Sequence, residues 1–128
     1  MNSVISIYAP IFAIFYVILS VTVIRTRRQE KVGLGTAGNK AVERAMRVHA
    51  NFSEYVPLAL LLLLILEQSG GNEFLLHGLF LMLLAGRLIH AWGISRQREN
   101  FRFRVSGMTM TFAVIITSSI AIAFLRFA

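Results

Sequence analysis

Four long apolar stretches, separated by polar segments, dominate the sequence. They are Val4–Ile24, roughly Asn51–Leu66 with polar turns before it, Phe74–Ile94 and Val105–Leu125. Each stretch is long enough to cross about 30 Å of hydrocarbon as an α-helix that rises 1.5 Å per residue. The pattern therefore predicts one all-α domain over residues 1–128, an integral membrane bundle of four spanning helices.

The polar segment before the second stretch predicts where its helix begins. Asn39 has the side chain of a helix N-cap, and Glu43 would place a carboxylate near the positive end of the helix dipole. We therefore expect the second helix to start outside the membrane and to carry polar residues into it.

Basic residues are concentrated in two of the three connections. Seven of the thirteen lie between Arg25 and Arg47, four lie between Arg96 and Arg104, and the connection Glu67–Glu73 has none. The positive-inside rule then predicts that the first and third connections are cytoplasmic. Both termini would lie on the other side of the membrane.

The composition supports a membrane protein. The chain is 56% hydrophobic with a mean hydropathy of +0.68, which is more apolar surface than a soluble core of 128 residues buries. The formal charge of +7 flanks the spans, so it suits membrane lipid headgroups or an anionic ligand, and we expect no nucleic acid partner. Without cysteine, and with His49, His77 and His90 in three different contexts, we expect no metal site.

One face at the start of the second helix is polar. Its residues are Arg44, Arg47, Asn51 and Glu54. At about 100° per residue these four positions share less than a third of the helix circumference. Because an ionisable side chain in a membrane span costs about 2.5–3.5 kcal/mol, such a cluster normally faces a bundle interior or a wet cavity. The face is therefore interpreted as a ligand-binding surface.

The third span carries a second polar pair. Arg87 and His90 lie one turn apart on one face of an otherwise apolar helix, and Gly86 and Gly93 would let a neighbouring helix approach closely there. An alternative is that Arg87 forms a structural ion pair with Glu54. That pairing does not exclude a ligand.

Further cations lie where the first span ends and the fourth begins. Arg104 and Arg25 would reach the same membrane level as the polar face of the second helix. Arg27, Arg28 and Arg102 are interpreted as interfacial anchors. The glycines of residues 33–38 match a dinucleotide-binding pattern, but no strand precedes them, so a flexible polar loop is expected.

These polar runs resemble the MAPEG family, the membrane-associated proteins in eicosanoid and glutathione metabolism, which includes microsomal glutathione transferases. The matching features are the R-x-x-R-x-H-x-N-x-x-E run from Arg44 to Glu54, the following Pro57, and the G-R-x-x-H run from Gly86 to His90. The brevity of the chain and the segment 104–108 are most similar to the small bacterial branch, which implies a bacterial inner membrane.

The resemblance implies a homotrimer with glutathione, as cosubstrate, bound between subunits at the cytoplasmic level. It assigns Arg104 as the catalytic residue beside the sulfur. It assigns the remaining binding residues as Arg25, Arg44, Arg47, Asn51, Glu54, Arg87 and His90. Guanidiniums suit the two carboxylates of glutathione, and a carboxylate suits its ammonium group. Small residues such as Ala59 and Gly86 could line close helix contacts.

The implied activity is conjugation of a lipophilic electrophile or reduction of a lipid hydroperoxide. Ala50, Ile94 and Val105 depart from the pattern of eicosanoid-forming members, so prostaglandin or leukotriene specificity is not implied. Two alternatives stay open. One is a protein that binds glutathione or lipid without turnover. The other is a small four-span exporter of lipophilic cations, although Val4–Ile24 has no ionisable residue.

Overall fold

All four apolar stretches form helices in the computed structural model, which describes residues 3–96 and 100–127. The helices are α1 (Val4–Glu30), α2 (Lys40–Gln68), α3 (Glu73–Ser95) and α4 (Phe101–Phe127). Each is long and apolar enough to cross a membrane, and those residue ranges contain no strand. The predicted all-α, four-span architecture is confirmed.

Side-chain caps fix the starts of the helices. The Asn39 Oδ1 accepts hydrogen bonds from the backbone nitrogens of Ala41 at 2.9 Å and Val42 at 3.1 Å, which confirms the predicted N-cap of α2. Asn72 does the same for α3 by accepting from the Leu75 nitrogen at 3.2 Å. As a result α2 begins well before its apolar stretch.

The start of α1 is capped by a residue far away in sequence. The Glu67 carboxylate, at the end of α2, accepts from the backbone nitrogens of Val4 at 2.6 Å and Ile5 at 3.0 Å. The side chain of Ser3, at the N-cap position, makes no such bond. Glu67 thus supplies acceptors for two of the four N–H groups that a helix start leaves unpaired.

The two middle helices form the centre of the bundle. Both α2 and α3 contact each of the other three helices, whereas α1 and α4 lie apart from one another in the described chain. The interior is apolar and includes Phe12, Phe52 and Phe80. Large apolar side chains also cover the outside of the helices, as lipid-facing surfaces require.

Glycines bring α3 and α4 into close contact. A Cβ atom on Gly107 would lie 2.5 Å from the Gly86 carbonyl oxygen and 2.7 Å from the His90 Cβ, and one on Gly93 would lie 2.8 Å from the Phe103 Cβ. The close approach predicted at Gly86 and Gly93 is confirmed. The helix that approaches belongs to the same chain.

Two small residues expected at close helix contacts lie inside the single chain. Ala59 is fully buried, and Gly86 is buried against α4. These two positions therefore serve packing within one chain.

The loop between α1 and α2 is folded against the end of α1. The Arg27 guanidinium donates to the carbonyl oxygens of Val32 and Gly33, both at 3.4 Å, and of Gly35 at 2.9 Å. Its Nη2 also lies 3.0 Å from the Met46 Sδ of α2. Arg27 therefore fastens this loop, which differs from the interfacial role and the flexible loop expected from sequence.

Candidate functional site

A cleft of about 280 Å³ opens between α2, α3 and α4, near the point where α3 ends and α4 begins. The residues that line it are Arg47, Asn51, His90, Ile94, Phe101, Arg104, Val105, Met108, Thr109 and Phe112. Four of these were predicted from sequence as site residues, and three helices contribute them. The cleft has a polar side formed by these four and an apolar side formed mainly by α4.

Arg87 lies behind the cleft and organises it. Its side chain is only 2% exposed, and its Nη1 donates to the Asn51 Oδ1 at 2.5 Å. Its Nη2 donates to the Gly107 carbonyl oxygen at 3.1 Å and lies 3.4 Å from the Met108 Sδ. The ion pair between Arg87 and Glu54 that the sequence left open does not form. Arg87 instead holds Asn51 in place beside the cleft.

Arg87 is thus a buried cation whose known partners are neutral. A buried charge without a counter-charge is costly in a protein interior and more so in a membrane span. Its Nε has no hydrogen-bond partner in the described chain. The local field around Arg87 therefore favours an anion in the neighbouring cleft.

The protonation of His90 follows from its hydrogen bond. Its Nδ1 lies 3.2 Å from the Arg104 carbonyl oxygen, which only accepts, so Nδ1 carries the proton. In the neutral ring Nε2 is then an acceptor. The side chain is 4% exposed, and Nε2 has no partner among the described residues. His90 therefore has one unused acceptor nitrogen, which is buried in the wall of the cleft.

The charged residues of the cleft have one sign. Arg47 and Arg104 line it, Arg87 lies behind it, and no carboxylate appears among the described lining residues. Guanidiniums bind carboxylates through paired, charge-assisted hydrogen bonds. The arrangement is suited to a ligand with one or more carboxylates, next to an apolar surface.

Three predicted site residues lie outside this cleft. Arg25 and Glu54 are exposed on the surface of the single chain, and Arg44 is half-buried. Within residues 3–96 and 100–127, Glu54 makes no ion pair. A single chain does not bring these three residues to the cleft. Their roles in binding stay predictions.

Some cleft residues were missed from sequence. Phe101, Met108, Thr109 and Phe112 form the α4 wall together with Arg104. Their positions recur at three- and four-residue intervals around Arg104, which is the spacing of one helix face. That periodicity was the available signal, but it is inconspicuous because the rest of α4 is also apolar.

Comparison with known proteins gives the same family as the polar runs. A model of the MAPEG family matches residues 5–124, which include α1 from its second residue and most of α4. The chain belongs to the MAPEG family. The matched range contains every residue of the cleft and every site residue predicted from sequence.

Two relatives of this MAPEG chain are similar over most of their length. Both are named inner membrane protein YecN, one from Escherichia coli strain K12 and one from E. coli O6:H1. Each is 35% identical over 116 residues, which cover 91% of this chain and 87% of the relative. That name gives those proteins a membrane location and no reaction. Family membership and the four apolar helices make the present chain a multi-pass integral membrane protein.

Proposed function

We propose that this MAPEG protein is a glutathione-dependent membrane transferase or peroxidase. The observation that carries the proposal is the cleft lined by Arg47, His90 and Arg104 and backed by Arg87, a buried cation with neutral partners. Glutathione carries two carboxylates, for which we assign Arg47 together with Arg44 and Arg87, so that Arg104 is left for the sulfur. Its amide N–H groups are donors of the kind that the unpaired Nε2 of His90 lacks.

The role proposed for Arg104 is to stabilise the glutathione thiolate. A free thiol with a pKa of about 8.5 is only a few per cent ionised at pH 7, and a neighbouring guanidinium lowers that pKa.

In conjugation, the thiolate sulfur forms a bond to an electrophilic carbon while the leaving group departs with its electron pair. In peroxide reduction, the sulfur attacks the terminal oxygen, the O–O bond breaks and the alkoxide takes a proton. A second glutathione then converts the sulfenic acid to a disulfide and water.

The apolar wall of the cleft supports a lipophilic second substrate. Ile94, Phe101, Val105 and Phe112 line this side. Phe101, Val105 and Phe112 are also exposed on the outside of the chain, where lipid would lie. An electrophile or lipid hydroperoxide dissolved in the bilayer would therefore enter along α4.

A homotrimer would complete the site. The cleft volume of about 280 Å³ lies slightly below the roughly 300–1,000 Å³ usual for ligand pockets. Glu54 and Arg25 are exposed on the membrane-spanning helices α2 and α1, where an unpaired charge that faces lipid costs about 2.5–3.5 kcal/mol. A second copy that covers these residues removes that cost and adds a carboxylate for the glutathione ammonium group. Native mass spectrometry should then show three chains, whereas a stable dimer would contradict this assembly.

We further propose that the protein lies in an inner membrane with the cleft on the cytoplasmic side. Basic residues flank the cleft end of the bundle, and the turn at Gly70–Gly71 lies at the opposite end. Reporter fusions at Gly70–Gly71 should score as external. A cytoplasmic signal there would reverse the orientation.

The deciding experiment is titration of the detergent-purified protein with glutathione, followed by thiolate absorbance in the ultraviolet and by thermal unfolding. Glutathione methylated on sulfur is the control, because it keeps the carboxylates and cannot form a thiolate. We expect both ligands to raise Tm, and only glutathione to give a thiolate signal and turnover with an aryl halide. A rise in Tm without thiolate or turnover would identify a binding protein instead. The apolar Ile94 in the cleft, where some family members have a tyrosine, is the observation that keeps this second candidate.

A further inference from the structure

A second, shallower cavity lies where α1 ends, away from the glutathione cleft. Its volume is about 360 Å³, and its lining residues are Ile24, Arg27, Arg28, Lys31, Val32 and Gly33. The first four positions follow the spacing of one helix face, so their side chains converge on one side of α1. None of these residues lines the glutathione cleft.

The walls of this cavity are fixed by the folded loop. Arg27 donates to three loop carbonyl groups, and Lys31 adopts the left-handed backbone conformation, with φ 55°, that ends α1. The Lys31 and Val32 nitrogens donate back to carbonyl oxygens of the last turn, at 3.3 Å and 3.0 Å. The loop is therefore an ordered wall, and Arg27 is engaged in holding it.

Two cations in the cavity remain for a ligand. Arg28 and Lys31 are exposed, and the described chain gives neither of them an ion pair. The nearest carboxylate in sequence, Glu30, accepts instead from the Asn39 Nδ2 at 2.6 Å, across the loop. The pair therefore presents about two positive charges without a counter-ion from this segment.

The floor of the cavity is apolar. Ile24 is 51% exposed beside the cations, and Leu34, the next residue after the lining glycine, is 92% exposed. A soluble anion would leave these apolar side chains in water. An amphiphile with an anionic headgroup would cover them with its acyl chain while its phosphate contacts the cations.

We propose that the end of α1 and its folded loop form a binding site for an anionic phospholipid. The headgroup phosphate contacts Arg28 and Lys31, and the acyl chain lies along Ile24 toward the membrane interior. This site shares no residue with the glutathione cleft, so this proposal can be tested independently of the proposed reaction.

The test measures binding of phosphatidylglycerol to the protein in a neutral detergent, by native mass spectrometry and by the change in Tm. Phosphatidylcholine and inorganic phosphate are the comparison ligands. We expect phosphatidylglycerol to remain bound and to raise Tm, with little effect of the other two. In Arg28→Gln/Lys31→Gln the affinity for phosphatidylglycerol should fall on the order of tenfold or more.

Two further variants make the result specific. Lys40→Gln/Arg126→Gln removes the same charge from exposed positions outside the cavity and should bind like wild type. Arg28→Lys/Lys31→Arg keeps both charges and should retain binding, which controls for misfolding of the glutamine variant. Equal retention of phosphatidylcholine, or wild-type binding by Arg28→Gln/Lys31→Gln, would overturn the proposal. A full Tm rise with inorganic phosphate would show a soluble anion site and would also overturn it.

Discussion

The two ends of the bundle differ in whether their polar groups are hydrogen-bonded within the chain. At the end that contains Glu67, the carboxylate is occupied by the first backbone nitrogens of α1, and the Tyr8 hydroxyl lies 2.9 Å from the His77 Nδ1. At the cleft end, Arg87 Nε and His90 Nε2 are buried without partners in the described residues. Polar groups in a membrane protein are costly unless paired, so the first end serves structure, and the second is the end at which we propose that a ligand binds.

The largest effect is expected from breaking the helix contact behind the cleft. Gly107→Ala places a Cβ atom 2.5 Å and 2.9 Å from backbone atoms of Gly86 and His90, which are not free to rotate away. The cost should be about 3 kcal/mol, the upper part of the usual range for overpacking. Thermal unfolding of the detergent-purified variant measures it.

The matched control is Gly78, which lies in the half of α3 away from the contact with Gly107. Gly78→Ala meets no atom within 4 Å and replaces a poor helix former, so its Tm should equal or exceed that of wild type. Loss of stability in Gly78→Ala, or wild-type stability in Gly107→Ala, would show that the two halves do not differ in packing as described.

Ligand binding should depend on the charged face of α2. Arg47→Gln or Glu54→Gln should weaken glutathione by about 1.5–3 kcal/mol, the usual scale for a hydrogen bond to a charged group. The measurement is the rise in Tm with glutathione for each variant. Glu43→Gln is the control, because Glu43 is exposed on the same helix and pairs with Lys40 at 3.3 Å. An unchanged glutathione-induced rise in Glu54→Gln would remove Glu54 from the site.

Activation of sulfur should depend on Arg104 more than binding does. Arg104→Ala should keep most glutathione affinity, while turnover of an aryl halide falls on the order of 10–100-fold at pH 7. Activity should recover in part as pH rises toward the pKa of the free thiol, because ionisation then no longer needs the guanidinium. Arg102→Ala is the control, since Arg102 does not line the cleft. Wild-type turnover by Arg104→Ala across this pH range would refute the assignment.

The smallest effect is expected at the Glu67 end. Tyr8→Phe removes the hydroxyl that pairs with His77 and should cost about 0.5–1.5 kcal/mol of stability. Glutathione affinity should not change, because the pair lies at the far end of the bundle. Tyr16→Phe is the control, since Tyr16 is exposed and its contact with His49 is between rings. A change in glutathione affinity for Tyr8→Phe would mean that the two ends are coupled.

Structural features that depend on a single helix could be predicted from the sequence. The spans, the Asn39 cap and the polar face with Arg47 and Asn51 follow from period and local hydrogen bonding, and the structure contains them. The family assignment also followed, because its polar residues recur at set spacing within single helices.

Contacts between two helices could not be predicted from the sequence in the same way. Helical periodicity gives the face of each helix but not its rotation or depth relative to a neighbour. The sequence therefore left Arg87 with two possible partners, and the structure pairs it with Asn51 and the Gly107 carbonyl. Glu67 was interpreted only as part of a connection, and its distance from Val4 along the chain hid its role as a cap. The proposed contacts of Arg25 and Glu54 with a second copy likewise involve two chains, so no single-helix pattern predicts them.

The capping of α1 by Glu67 also has a consequence for biogenesis. Val4 and Glu67 are 63 residues apart, so a ribosome that adds about 5–20 residues per second makes the cap roughly 3–13 s after the helix start that needs it. During that interval the first turn of α1 must find its acceptors in water or lipid headgroups. The first turn of α1 therefore gains its acceptors only when the end of α2 has been made, which is still before α3 and α4 are synthesised.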